Sequence, residues 1–135
     1  MRSITAVLCL AALALGLTSL AKAGRSATPQ VNTRLLDFKV VPKPKAVAAG
    51  RVTFVATNAG KLEHELVVVK TPKDAAKLGR GDGTASEKGE VAEVEDIKPG
   101  KTKRLTVSLK PGHYVLLCNI GKHYGAGMYV NFNVK

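Results

Sequence analysis

Hydrophobic and polar positions alternate with a period of two over most of the chain, the spacing of strands whose two faces meet different surroundings. Val31 to Val41 is the first such run, and Val41-Pro42-Lys43-Pro44 closes it, because proline cannot donate to a central ladder. Val52, Phe54 and Ala56 alternate with Thr53, Val55 and Thr57, and Asn58-Ala59-Gly60 then turns the chain. Glu65 to Lys70 is short and β-branched and reads as a buried strand. Val91 to Ile97 predicts a weaker strand before the Pro99-Gly100 turn. Leu105, Val107 and Leu109 alternate up to Pro111-Gly112, and Tyr114 to Cys118 is apolar on both faces, as in a central strand. Met128, Val130, Phe132 and Val134 finally point one way while Tyr129, Asn131, Asn133 and Lys135 point the other. One short helix is predicted from Thr71-Pro72-Lys73-Asp74, which supplies a cap, a proline in the first turn and an acid, and Gly79 stops it. About seven short strands separated by turns describe an all-β fold, an antiparallel Greek-key β-sandwich.

The N-terminal stretch has a different pattern. Met1-Arg2 is basic, Ile4 to Leu20 is almost wholly apolar, and Ala21-Lys22-Ala23 is a small-x-small cleavage site. That order predicts a secretory signal peptide over 1–23, hence a periplasmic or secreted protein. The apolar run, interrupted by Thr5, Thr18 and Ser19, falls short of the about 20 residues that span a bilayer. Residues 24–30 are expected to be a flexible lead-in and 31–135 a single domain. The 112 residues left after cleavage exclude a multidomain enzyme. They carry 19 basic and 10 acidic side chains, a balance of +9, which favours acidic protein partners or anionic lipid headgroups. Export and only six aromatic residues, with no basic–aromatic interleaving, speak against nucleic acid.

Cysteine use narrows the chemistry. Cys9 leaves with the signal, so the mature chain keeps one thiol, Cys118, which cannot form a disulfide within the chain. The segment from Cys118 to Met128 joins two strands and also contains His123, so a thiolate, an imidazole and a thioether can fold around one ion. A fourth donor must come from elsewhere, and His64 stands at the head of the strand Glu65–Lys70. Two imidazoles and a thiolate with a weak thioether are the donor set of a blue-copper site. Taken singly, each residue has a plainer reading. Cys118 suits a core thiol, Met128 core packing, His123 an ordinary loop and His64 a surface position between Glu63 and Glu65. Asn58 and Asn119 either hydrogen-bond around the ligands or simply form turns. His113, directly after a turn, reads as a surface residue.

These motifs make the chain resemble the cupredoxins, in particular the single-domain class with a Cys-x4-His-x4-Met loop typified by rusticyanin, auracyanin and sulfocyanin. The resemblance runs through VTFVATNAGKLEHELVVV, PGHYVLLCN and GAGMYVNFNV and so spans the mature chain. It implies one Cu(II)/Cu(I) ion held by His64, Cys118, His123 and Met128, and a monomer that passes single electrons to a redox partner rather than an enzyme. The same donors could instead serve a periplasmic copper carrier or buffer that holds Cu(I). A binuclear oxidase-type centre would need a second cysteine four residues after Cys118, where the chain has Lys122. One feature departs from the class: Gly121-Lys122 replaces the usual Pro-Gly before the loop histidine, which should free the loop backbone.

Overall fold

The computed structural model describes residues 27–135, so the signal-peptide reading of 1–23 lies outside the described residues. Nine strands follow in order: β1 (Gln30–Leu36), β2 (Lys39–Lys43), β3 (Ala46–Val47), β4 (Gly50–Asn58), β5 (His64–Lys70), β6 (Glu90–Ile97), β7 (Thr102–Leu109), β8 (Gly112–Leu117) and β9 (Tyr129–Val134). They form two sheets, β2-β1-β4-β7 and β3-β9-β8-β5-β6. The chain changes sheet at β2–β3, β3–β4, β4–β5, β6–β7 and β7–β8, giving a Greek-key sandwich.

Alternation places the core as the sequence predicts. Val31, Leu35, Val52 and Phe54 of the first sheet face Leu66, Val68, Leu116 and Phe132 of the second. Phe54 meets Phe132 edge-to-face with centroids 5.6 Å apart. His64 to Val69 of β5 is buried throughout, because this strand is covered on both sides. The outer face of β5 and of its neighbour β8, with Val67, Val69, Val115 and Leu117, lies under Ala75, Leu78, Ala85 and Tyr124, a second and smaller core. The residues between β5 and β6 thus form a cover over the outside of the five-stranded sheet.

Several expectations change. The run Val31–Val41 is two strands, not one, because Asp37-Phe38 turns the chain with Phe38 at φ 64°. Pro42 lies in β2, an edge strand of its sheet, where a missing donor is tolerated. The ladders are mainly antiparallel, but β1 pairs with β4, and β3 with β9, in parallel, since crossing between sheets brings the chain back in the same direction. Gln30 already pairs with Thr53, so the ordered strand begins inside the expected lead-in. The predicted helix shrinks to a single 3-10 turn, Ala75–Lys77. Thr71 Oγ1 accepts from Lys73 N in a turn of its own, and Asp74 caps the helical turn through Ala76 N.

Candidate metal centre

The four residues singled out from the sequence sit at one end of the sandwich, three of them where a strand starts or stops and one at the end of a short turn. His64 opens β5, Cys118 follows β8, His123 closes a 3-10 turn at Ile120–Lys122, and Met128 precedes β9. His64, Cys118 and Met128 are fully buried, and His123 is 8% exposed. Cys118 Sγ lies 3.5 Å from His123 Nδ1 and 3.9 Å from His64 Nδ1, and the two rings stand 5.1 Å apart. One donor atom from each of the three lies within 4.8 Å of the others. Met128 belongs to the same buried cluster as Cys118. Its backbone closes the loop: Cys118 N donates to Met128 O, and Met128 N donates to His123 O, both at 3.1 Å.

This donor set fits a metal ion. Metal–sulfur and metal–nitrogen bonds of about 2.3 and 2.0 Å, at angles between tetrahedral and trigonal, span about 3.5–3.7 Å from sulfur to nitrogen. The His123 separation of 3.5 Å falls in that interval, and the His64 separation of 3.9 Å corresponds to a slightly wider angle at the ion. Burial pushes the Cys118 thiol up to about 11, although backbone N–H groups of Glu65 and Ile120 oppose it. A bound cation would replace that proton. Soft sulfur with neutral imidazole nitrogen in a dry pocket is consistent with one copper ion.

Outer contacts set the orientation of the rings. His64 Nε2 lies 3.1 Å from Asp37 Oδ1, in the turn between β1 and β2. Burial holds the His64 pKa below its usual value despite this carboxylate, so the ring is neutral and donates Nε2–H, leaving the Nδ1 lone pair towards Cys118. Asp37 also accepts from Lys61 N and Leu62 N; these amides, led by Leu62, keep its carboxyl below the usual range. Asn58 braces the same approach to His64, donating to Leu62 O and Ile97 O and accepting from Gly60 N. Phe38, next in the turn, meets the His123 ring edge-on at 5.4 Å. One turn from the first sheet therefore touches both imidazoles. The sequence reading missed it, and the only signal was an acid interrupting an apolar run.

The loop from Cys118 to Met128 is restrained from outside. Asn119 Oδ1 accepts from Ala85 N at 2.6 Å, and its Nδ2 donates to Ala85 O and Glu87 Oε1. Asn119 N donates to Glu65 Oε1 at 2.7 Å, linking the loop to the residue after His64. Burial raises the Glu65 pKa against that hydrogen bond. Tyr124 Oη accepts from Leu78 N and donates to Ala75 O, and Gly125 N donates to Gly83 O. Gly121 and Lys122 both adopt left-handed backbone, φ 51° and 72°. Proline cannot occupy position 121 in this conformation, because its ring fixes φ near −65°. The absent Pro-Gly is thus a different loop shape, held by the cover over the sheet. His113, expected at the surface, is half-buried and ties Thr71 O to Asn131 Oδ1 through its two ring nitrogens.

Comparison with known proteins agrees with this geometry. The family model described as the cupredoxin-like domain matches residues 7–130. No curated protein matches the chain in sequence. Among solved structures, dithionite-reduced auracyanin from Roseiflexus castenholzii aligns with a TM-score of 0.61 at 22% identity, covering 81% of this chain and 98% of that one. Auracyanin A of Chloroflexus aurantiacus, described as a "blue" copper protein, aligns at 0.59 with 20% identity over 78% and 99% of the two chains. Rusticyanin from Thiobacillus ferrooxidans aligns at 0.62 with 18% identity over 80% and 77%. At these identities the structural matches establish the fold, and the family match covers nearly the whole sequence. The chain belongs to the cupredoxin-like domain family.

Proposed function

We propose that His64, Cys118, His123 and Met128 hold one copper ion and that the protein carries single electrons between redox partners after export. The observation that carries this reading is the buried Cys118 sulfur set between two imidazole Nδ1 atoms at 3.5 and 3.9 Å. Copper, when bound, supplies the Cu(II)/Cu(I) couple. The chain's part is to keep the donors in place and water out. Asp37 fixes the tautomer of His64; Phe38 packs against His123; the cover over the sheet pins the loop. A site restrained this way changes little between oxidation states, which suits rapid electron transfer more than release of the ion.

His123 is the donor nearest to solvent, and exposed Phe38 and Lys122 flank it. This edge is the proposed point of electron exchange. The balance of +9 steers an acidic partner towards the domain, with association slowing as salt rises. The visible and EPR spectra of copper-loaded protein test the assignment. An intense thiolate-to-copper band that disappears in Cys118→Ser is expected. No band after loading at neutral pH, or a band that survives the substitution, overturns it. Ready loss of copper to a mild chelator would favour the carrier role over electron transfer.

A further inference from the structure

The segment between β5 and β6 leaves the sheet at Lys70 and returns at Gly89, and its two limbs are fixed to each other. Lys70 N donates to Gly89 O, Ser86 N to Leu78 O and Arg80 N to Thr84 O, and Gly79 forms a bridge with Ala85. Between the limbs lies a cleft of about 530 Å³. Lys70, Lys73, Lys77 and Lys88 line it together with Thr71 and Ser86, and no carboxylate does.

The acids of the same segment are turned to other work. Asp74 accepts from Ala76 N and Asn131 Nδ2, Asp82 from Thr84, and Glu87 from Asn119 Nδ2. Among the described residues, no carboxylate stands within ion-pair distance of the four lysines. Lys70 is fixed at the neck, its Nζ donating to Pro111 O and lying 5.7 Å over the Tyr114 ring. Thr71 Oγ1 and Ser86 Oγ accept from Lys73 N and Lys88 N, which leaves each hydroxyl proton free to donate. Like charges gathered around a hollow repel one another, and an anion between them relieves the repulsion.

The geometry points to this cleft as a binding site for a phosphate-bearing anion. Its volume is that of a small-molecule site, within the range of about 300–1,000 Å³. Beside Pro72 and Leu78, its lining carries Lys73, Lys77 and Lys88 with the Thr71 and Ser86 hydroxyls, while the Lys70 ammonium turns to Pro111 O; three ammonium groups and two hydroxyls suit a multivalent oxyanion. Lys70, at the neck, stands six residues along β5 from His64, about 20 Å at strand rise, while the Leu78 end of the cleft adjoins Tyr124.

Heteronuclear NMR titration of the protein at constant ionic strength tests it, with inorganic phosphate and pyrophosphate in one arm and phosphatidylglycerol vesicles in the other. Saturable shifts confined to 70–79 and 86–89 with the soluble anions support the site. Broadening of the same residues by vesicles alone also supports it and makes the lipid headgroup the source of the phosphate. The exposed triple change Lys73→Gln, Lys77→Gln, Lys88→Gln should weaken binding roughly tenfold. Removing the same charge through Lys43→Gln, Lys45→Gln and Lys101→Gln should leave it unchanged. Shifts scattered over lysines outside the cleft, equal shifts from sodium chloride alone, or undiminished binding by the first triple variant would overturn the proposal.

Discussion

His64 occupies the first residue of a strand and is fixed through its far nitrogen by Asp37, whereas His123 ends a turn preceded by two left-handed residues. Among the described residues, the only hydrogen-bonding contact of the His123 ring is with the Cys118 thiol. The two imidazoles reach similar distances from one sulfur by different means. His64 gets its position from the sheet and from a hydrogen bond at the ring itself. His123 gets its position at one remove, from the clamp that Ala75–Glu87 places on Asn119, Tyr124 and Gly125. The Asp37-Phe38 turn touches both rings, so a change at Asp37 also reaches His123 through Phe38, whereas a change in the clamp leaves the His64–Asp37 contact in place.

Asp37→Ala attacks the first device and should have the largest effect on the metal. Without the acceptor, neutral His64 is free to place its proton on Nδ1 and to rotate, and the Lys61 and Leu62 amides lose their partner. Loss of such an orienting partner typically costs about 10–100-fold in metal affinity. Competition against a copper chelator measures it, and NMR of the imidazole nitrogens in the metal-free variant reads the tautomer directly. Unchanged affinity together with an unchanged tautomer would show that the Asp37 contact is incidental.

The contrast also explains what was legible in the sequence. Cys118, His123 and Met128 stood out because soft donors are scarce in this chain and these three share one loop. Both-face burial of β5 and β8 followed from uninterrupted apolar runs. The turn at Asp37-Phe38 was hidden because it contains no glycine, proline or asparagine. What holds Phe38 in left-handed backbone lies in the tertiary structure, in the contacts of Phe38 with His123 and of Asp37 with residues 61–64. Parallel pairing was illegible for another reason, since a period of two is the same in either direction. The roles of Asn119 and His113 depend on partners 34 and 18 residues away, which local patterning does not encode. Gly121-Lys122 looked like a loosened loop because the restraint lies in the cover, not in the loop's own residues.

Gly125→Ala attacks the second device. A β-carbon there would stand 2.8 Å from Gly83 Cα and 3.1 Å from Gly83 O, so one backbone must move away from the other. The Gly125 N to Gly83 O hydrogen bond is strained at the same time. Overpacking of this kind costs about 1–3 kcal/mol, measurable by denaturant unfolding of the metal-free protein. Hydrogen exchange should quicken at 119–127 and stay as it was around His64. If exchange quickens equally at both histidines, the two supports are one cooperative unit rather than two.

The smallest effect is expected where the two regions are joined, at Glu65, whose carboxylate reaches across to Asn119 N. Glu93 and Glu95 of β6 bring their oxygens close to it. Burial, and then the charge of Glu65, push the Glu93 carboxyl up to about 7. A carboxyl whose pKa is raised on folding binds protons more tightly in the native state. Its contribution is therefore fully present below the unfolded value of 4.5 and is lost as pH rises through about 7. Glu93→Gln should leave thermal stability unaltered near pH 4.5 and raise it at pH 8. The gain should be about 1 kcal/mol, well below the full linkage value because solvent screens a partly exposed side chain. Equal stabilisation at both pH values would trace the effect to packing rather than to charge, and Glu65 would then join the strand to the loop without interference from its acidic neighbours.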